Sequence, residues 1–261
     1  MNRDYLQIND FLKPQILDSQ KDFLVVYKPP KIHSAPIGNS GGDTLLDWCL
    51  RDFPEIAELP GRKKGEGGML HRLDYETHGL MIFARTLPGM KHFMEQQNEG
   101  LIQKEYSALT MKKTETLPGF PVIKKGSKDP RQIIKSAFRP FGQGRKAVRP
   151  VIYSDIAGNK AGKNKELALD KGKPYVTEIL ETQSVSSTID LIILKIYRGF
   201  RHQIRCHLAW IGQPILNDVL YGGLSYGNGF LGLRAYSLAF TDPSTGMEMY
   251  YSVSPVSLDG I

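Results

Sequence analysis

Residues 71–85 read HRLDYETHGLMIFAR. From Gly79 onward this is an unbroken apolar run of strand length, Leu80, Met81, Ile82, Phe83 and Ala84, with none of the alternation that a half-exposed strand would show. It therefore reads as a strand covered on both faces. Just before it stand His71, Arg72 and Asp74, so one carboxylate is set at the mouth of the core with a basic pair beside it. In such a place desolvation favours the neutral acid and a neighbouring guanidinium favours the charged form.

Working outward, the segment LPGMKHFMEQQNEG that follows puts Met90, Phe93 and Met94 on one helical face, with Gly100 as the stop. Upstream, residues 22–30 (DFLVVYKPP) form a β-rich run closed by two prolines, and residues 43–53 begin with a cap at Asp43 or Thr44 and carry Leu46, Cys49, Leu50 and Phe53 at helical spacing. Residues 104–111, 134–138, 175–182 and 187–197 are further strand candidates. Near the end, DPSTG separates two alternating runs and predicts a hairpin. Many strands on short links, with helices not regularly interleaved, predict an α+β fold: a mainly antiparallel mixed sheet flanked by helices. The division expected is a short N-terminal extension over 1–21 and one catalytic domain over 22–261 with a basic loop at 158–174.

The chain has 261 residues, 41% of them hydrophobic, and carries a net charge of +7. That length buries roughly three quarters of the unfolded surface without staples, and the charge favours an anionic partner, nucleic acid first. Two cysteines, Cys49 and Cys206, are too few for a disulfide framework or a zinc cluster. The N-terminal residues lack an apolar core of signal-peptide length and no run of 18 apolar residues occurs, so a soluble cytoplasmic protein without membrane contact is expected. A monomer is the simplest expectation.

The common enzyme signatures are absent: no GxxxxGK[ST] loop, no GxGxxG fingerprint, no HExxH pair, no GxSxG elbow. His202 and His207 are five apart and point to different sides of a helix, so no metal site is expected. Two loops are rich in charge. GRKKGEGG (61–68) brings Arg62, Lys63 and Lys64 close in sequence to Asp74, where they would touch a phosphate backbone; residues 158–174 carry five lysines and read first as solvated surface. A second basic cluster, YRGFRHQIRCHLAWIGQPILNDVLYG (197–222), predicts a helix over about 201–211, with Ile204, Leu208 and Ile211 as its apolar stripe and Gly212 and Pro214 ending it. Arg201 and Arg205, four apart, share a face away from that stripe. Alone, they read as an ordinary exposed basic face.

HRLDYETHGLMIFAR resembles the HRLDxxTSGLLLxAK motif of the RluA family of pseudouridine synthases, and HQIRCHLAWIGQPILNDVLYGG resembles that family's HQIRVHLxxxGHPIxGDxxYG. The likeness extends in order to DFLVVYKPPKIHSAP, KEYSALT, FRPFGQGRKAVRP and AYSLAFTDPSTGMEMYYS, and so covers roughly residues 22–256. The resemblance implies a pseudouridine synthase catalytic fold with a central active-site cleft, acting on uridines of structured ribosomal or transfer RNA with neither cofactor nor metal. It maps the catalytic aspartate onto Asp74, the active-site tyrosine onto Tyr106 and the aspartate-pairing arginine onto Arg205. The RNA-contacting set expected with them is His71, Arg72, Arg62, Lys63, Lys64, Arg198, Arg201 and His202. Arg72, two residues from Asp74 on an extended segment, would hold the flipped nucleotide; otherwise it would pair with an acidic neighbour such as Glu76.

The chemistry of the residues agrees. Breaking the N1 to C1′ bond builds positive character at C1′, which a carboxylate stabilises or captures, and a tyrosine offers a flat face to the base and a hydroxyl for the C5 proton. The chain departs from the family pattern at His78, where Ser is usual, at Gly199-Phe200-Arg201, which removes a Thr that would serve as an N-cap, and at Asn217 in place of Gly. Two alternatives stay open: a catalytically silent RNA-binding protein on the same scaffold, and a glycoside hydrolase, which would need a second acid such as Glu76. With only about 20 residues ahead of the catalytic part, RNA selection is expected to come from that part itself.

Overall fold

The computed structural model describes residues 5–36, 43–61, 63, 65–112, 117–122, 133–152 and 167–261. In chain order the strands and α-helices are β1 (Gln15–Ser19), β2 (Phe23–Lys28), α1 (Leu45–Asp52), β3 (His78–Ala84), α2 (Leu87–Glu99), β4 (Gln103–Met111), β5 (Ile133–Phe141), β6 (Ala147–Val151), β7 (Tyr175–Ser184), β8 (Ile189–Ile196), α3 (Gln203–Trp210), β9 (Leu233–Thr241) and β10 (Glu248–Ser252). They fall into two compact units, Met1–Tyr106 with Leu233–Pro255, and Ser107–Gly232 with Val256–Ile261.

In the first unit the strand order is β1-β2-β3-β9, with β10 also paired to β9. All pairs are antiparallel except β3 with β9, which run parallel through His78↔Arg234 and Gly79↔Ala235. Every residue of β2 and β3 is buried, which is why both are continuous apolar runs. Gly79 is fixed by that parallel neighbour: its φ is +126°, and a Cβ there would lie 2.1 Å from the carbonyl oxygen of Ala235. Only glycine starts a strand this close to another backbone. β1 lies within the stretch expected as an extension; its register with β2 shifts between Ile16 and Asp18.

The helices of this unit start where their caps dictate. Thr44, not Asp43, caps α1, and Asp47 closes a capping box by accepting from the Thr44 backbone N–H, worth about 1 kcal/mol. Thr86 caps α2 and Gly100 ends it at φ +76°. Met90 and Phe93 of α2 are buried as expected, but Met94, one turn from Met90, is 41% exposed, so that part of the face is not covered. The final hairpin closes through DPSTG, where the Asp242 carboxylate accepts from the N–H groups of Ser244 and Thr245 and the Gly246 N–H donates to Asp242 O.

In the second unit, which β4 enters at Ser107, the order is β4-β8-β7-β5-β6. β8 alternates between buried and half-buried positions, the mark of a sheet with one core face. A core cluster of this unit gathers Phe120, Ile134, Phe138, Val148, Cys206, Trp210 and Tyr221. All eight residues of α3 are buried, so the expectation of an exposed basic face shared by Arg201 and Arg205 is overturned at Arg205. Arg201 precedes the helix and is exposed, whereas Arg205 is 3% exposed. The helix also begins later than expected, because its N-cap is His202 at φ +54°. A Thr at 201 would therefore stand before the cap. Gly212, at φ +82°, ends the helix, with its N–H on Ala209 O.

Candidate active site

Asp74 lies on the irregular segment that leads into β3, half-buried. Its neighbours on both sides are clamped. Ser34 Oγ donates to Leu73 O at 2.9 Å and accepts from Leu73 N at 3.0 Å, so both backbone groups before the aspartate rest on one hydroxyl. After it, Lys28 at the end of β2 points its ammonium into the segment and donates to Tyr75 O at 3.3 Å, Thr77 O at 2.7 Å and its neighbour Pro29 O at 2.9 Å. The Lys31 N–H adds a bond to Tyr75 O at 2.9 Å. A carboxylate between two such anchors keeps its position while the rest of the loop meets solvent.

Lys28 is wholly buried. Burial lowers its pKa to about 7, and the charges of Asp74 and Glu76 oppose that fall. The lysine thus supplies both geometry and a positive charge close to the aspartate, and residue-pattern reasoning passed over it. The signal was a lysine closing an apolar strand just ahead of two prolines.

Tyr106, on β4, is 5% exposed. Burial first, and the Asp74 charge second, push its hydroxyl above the ordinary tyrosine range, so it is protonated at neutral pH. The same dependence places the Asp74 carboxylate within electrostatic reach of the phenol.

His78 lies in the core. Its imidazole is completely buried, edge-on to Phe11 at 4.8 Å and Tyr27 at 6.4 Å, and neither ring nitrogen has a hydrogen-bond partner among the described residues. Burial, then Arg234 and Lys28, hold it neutral, well below the usual histidine range. The departure from the family's Ser is absorbed by packing and leaves the Asp74 clamp as it is.

The cations expected to contact RNA divide. Arg72 is ion-paired with Glu66, not with Glu76, and keeps 41% of its side chain exposed. Glu66 is itself buried and accepts from Lys63 N at 3.2 Å, so one carboxylate holds both Lys63 and Arg72. Lys63 is exposed; Arg62 and Lys64 lie outside the described residues, as does 158–166 of the lysine-rich loop. His71 Nε2 accepts from Ile82 N at 3.3 Å, which ties the segment to β3.

In the second unit, Arg198 donates to Asp170 Oδ1 at 2.9 Å, and Arg201 donates to the carbonyls of Arg145 and Ala147 at 3.0 and 3.2 Å. His202 Nδ1 lies 3.2 Å from the Tyr221 hydroxyl, which accepts from Val148 N. Arg205 donates through Nε and an Nη to the two oxygens of Asp218 at 2.7 and 2.8 Å, with its guanidinium 5.5 Å over the Tyr221 ring. Asp218 was not singled out from the residues, although it stands in the NDVLYG stretch that matched the family. Asn217 beside it adopts φ +65°, and its side-chain amide bonds Tyr226 O, Phe230 O and Tyr226 N. That explains why Asn can stand in place of glycine there: it tolerates the left-handed backbone and staples the following loop.

Among the described residues no cluster of three His, Cys, Asp or Glu side chains could hold a metal ion, and no helix is long and apolar enough to cross a membrane.

A strand segment with a clamped carboxylate ahead of it, on a mixed and mostly antiparallel sheet with few helices, defines an α+β fold of the pseudouridine synthase type. The solved structure of the human RNA pseudouridylate synthase domain containing 1 superposes with a TM-score of 0.59 at 20% identity, covering 95% of this chain and 86% of that one. The human domain-containing 4 protein gives 0.57 at 19%, covering 92% and 88%. The RNA pseudouridylate synthase family model matches residues 22–210, and the chain belongs to that family, in its RluA branch. Ribosomal large subunit pseudouridine synthase D of Haemophilus ducreyi is 27% identical over 208 residues, 80% of this chain and 52% of the relative. The protein of that name from Neisseria meningitidis serogroup B is 29% identical over 256 residues, 90% of this chain and 56% of the relative. The chain thus spans little more than half the length of these two relatives.

Proposed function

We propose that the chain is an RNA pseudouridine synthase that isomerises uridine in ribosomal RNA. The observation that carries this is the clamped Asp74 within electrostatic reach of the buried Tyr106, at the two positions where the family motifs place them. In the reaction the N1 to C1′ bond breaks, the base turns, C5 bonds to C1′, the C5 proton leaves and N1 takes one up, so atoms balance without a co-reactant. Asp74 serves the C1′ centre as stabilising or capturing carboxylate. Tyr106 packs against the base; kept protonated, its hydroxyl accepts the C5 proton only by passing its own onward in the same step. Arg205 is carried over by the same resemblance, and its bidentate bond to Asp218 fixes where its guanidinium lies. The names of the curated relatives favour large-subunit ribosomal RNA as substrate.

The test is to incubate the protein with large-subunit ribosomal RNA from cells lacking the gene and digest it to nucleosides. Wild type should generate pseudouridine and Asp74→Asn should generate none while binding the RNA as tightly. Binding without pseudouridine from wild type would instead favour a silent RNA-binding role.

A further inference from the structure

Tyr75 follows Asp74 directly, yet its side chain takes no part in the clamp. Its ring is 42% exposed and lies 4.6 Å, centroid to centroid, from the exposed His33 imidazole at an interplanar angle of 40°. Both rings stand on fixed backbone. The Tyr75 carbonyl accepts from Lys28 Nζ and from Lys31 N. His33 O accepts from Leu45 N at 2.9 Å, and the next residue, Ser34, is the one that holds Leu73. The result is a pair of solvent-facing aromatic rings, rigidly mounted one residue from the carboxylate and not required by the core.

We propose that Tyr75 and His33 form a stacking platform for an unstacked RNA base next to the uridine presented to Asp74, and so help to select single-stranded or opened RNA around the target. The inference rests on the reading that the chain acts on uridine in RNA. A uridine that leaves its stack leaves neighbouring bases with an uncovered π-face, and an exposed aromatic side chain covers such a face whichever base it is. Tyrosine serves this well because its ring has few rotamers to lose. Base stacking on one aromatic ring contributes about 1–3 kcal/mol, which corresponds to roughly 5- to 150-fold in affinity.

The test uses short single-stranded RNAs with one uridine and 2-aminopurine at each position in turn on either side of it. For wild type, one flanking position should show fluorescence quenching on binding. Tyr75→Ala should abolish that quenching and weaken binding by about 10-fold, Tyr75→Phe should retain both, and His33→Ala should reduce both to a smaller extent. Melting temperatures of all three should match wild type, because the rings are exposed. Quenching at no position with wild type, quenching that persists in Tyr75→Ala, or an equal loss in Tyr75→Phe would each overturn the platform. Pseudouridine formation by wild type, measured separately, bears on the enzymatic reading alone, because the fluorescence experiment needs no turnover.

Discussion

Mild acid should loosen the second unit through His207. This side chain is wholly buried on α3, with Nε2 2.9 Å from Ser136 Oγ and Nδ1 2.8 Å from Thr177 Oγ1, and its ring 4.9 Å from that of Phe138. Burial lowers its pKa to about 3. The folded state therefore keeps the imidazole neutral where the unfolded chain, with an ordinary pKa near ~6.5, takes up a proton. A folded pKa below the unfolded one means the unfolded state binds more protons, so stability is complete above ~6.5 and falls as pH drops toward 3. From pH ~6.5 to ~5 the loss is about 1.5 units at ~1.4 kcal/mol each, or about 2 kcal/mol. Carboxylates of ordinary pKa contribute little in that window, and His78, also buried neutral, is common to the two proteins compared. Urea unfolding followed by tryptophan fluorescence, with Trp210 6.4 Å from the His207 ring as reporter, should show wild type losing about 2 kcal/mol more than His207→Gln between pH ~7.5 and ~5. Equal pH slopes in the two proteins, or a His207 NMR resonance titrating near 6.5 in the folded state, would refute the reasoning.

Three further outcomes follow from the same geometry. Arg205→Met leaves the buried Asp218 carboxylate without its bidentate partner, so unfolding should show a loss of about 3–5 kcal/mol along with the loss of activity; full stability would mean the pair is not buried as described. Asn217→Ala keeps the left-handed backbone strained and removes three side-chain hydrogen bonds, so it should cost about 2–4 kcal/mol by denaturant titration, and Asn217→Gly less, because only the bonds are lost. Lys28→Met should retain the sheet by circular dichroism but lower kcat by about 10-fold or more by releasing Tyr75 and Thr77 beside the carboxylate; an unchanged kcat would show that Asp74 holds its place without the tether.

What was legible in the sequence is what depends on local pattern. The unbroken apolar runs of β2 and β3, the Gly100 stop of α2, and the DPSTG turn state their structures within a few residues. β1 did not announce itself, because QILDS has only two adjacent apolar residues and becomes a strand by pairing with β2. β6 carries Pro150 and survives because it ends the strand order, where a missing N–H costs no ladder bond. Motif resemblance reached Asp74, Tyr106 and Arg205, but not what holds them. The burial of Arg205 depends on Asp218, thirteen residues on, and the role of Lys28 depends on carbonyls nearly fifty residues away. Helical spacing reports which side chains share a face, not whether that face is covered.

The order of the two units along the chain bears on how the protein is made. The first unit takes its strands from both ends of the sequence: β3 finishes at Ala84, and its parallel neighbour β9 begins only at Leu233. On a translating ribosome the first residues of the strand that leads away from Asp74, His78 and Gly79, wait without their β9 partners while residues 107–232 of the second unit are synthesised. That interval is about 150 residues, or roughly 8–30 s at the usual elongation rates. During it the far half of that edge is already occupied, with the Ala84 N–H on Gly68 O and the Leu70 N–H on Ile82 O, and only the His78–Gly79 end offers open backbone groups of the kind that other chains can join. Gly79, already paired with Lys28 of β2, leaves room during that time for a neighbour that has not yet been made. The close approach for which Gly79 leaves room is thus among the last contacts of the first unit to form.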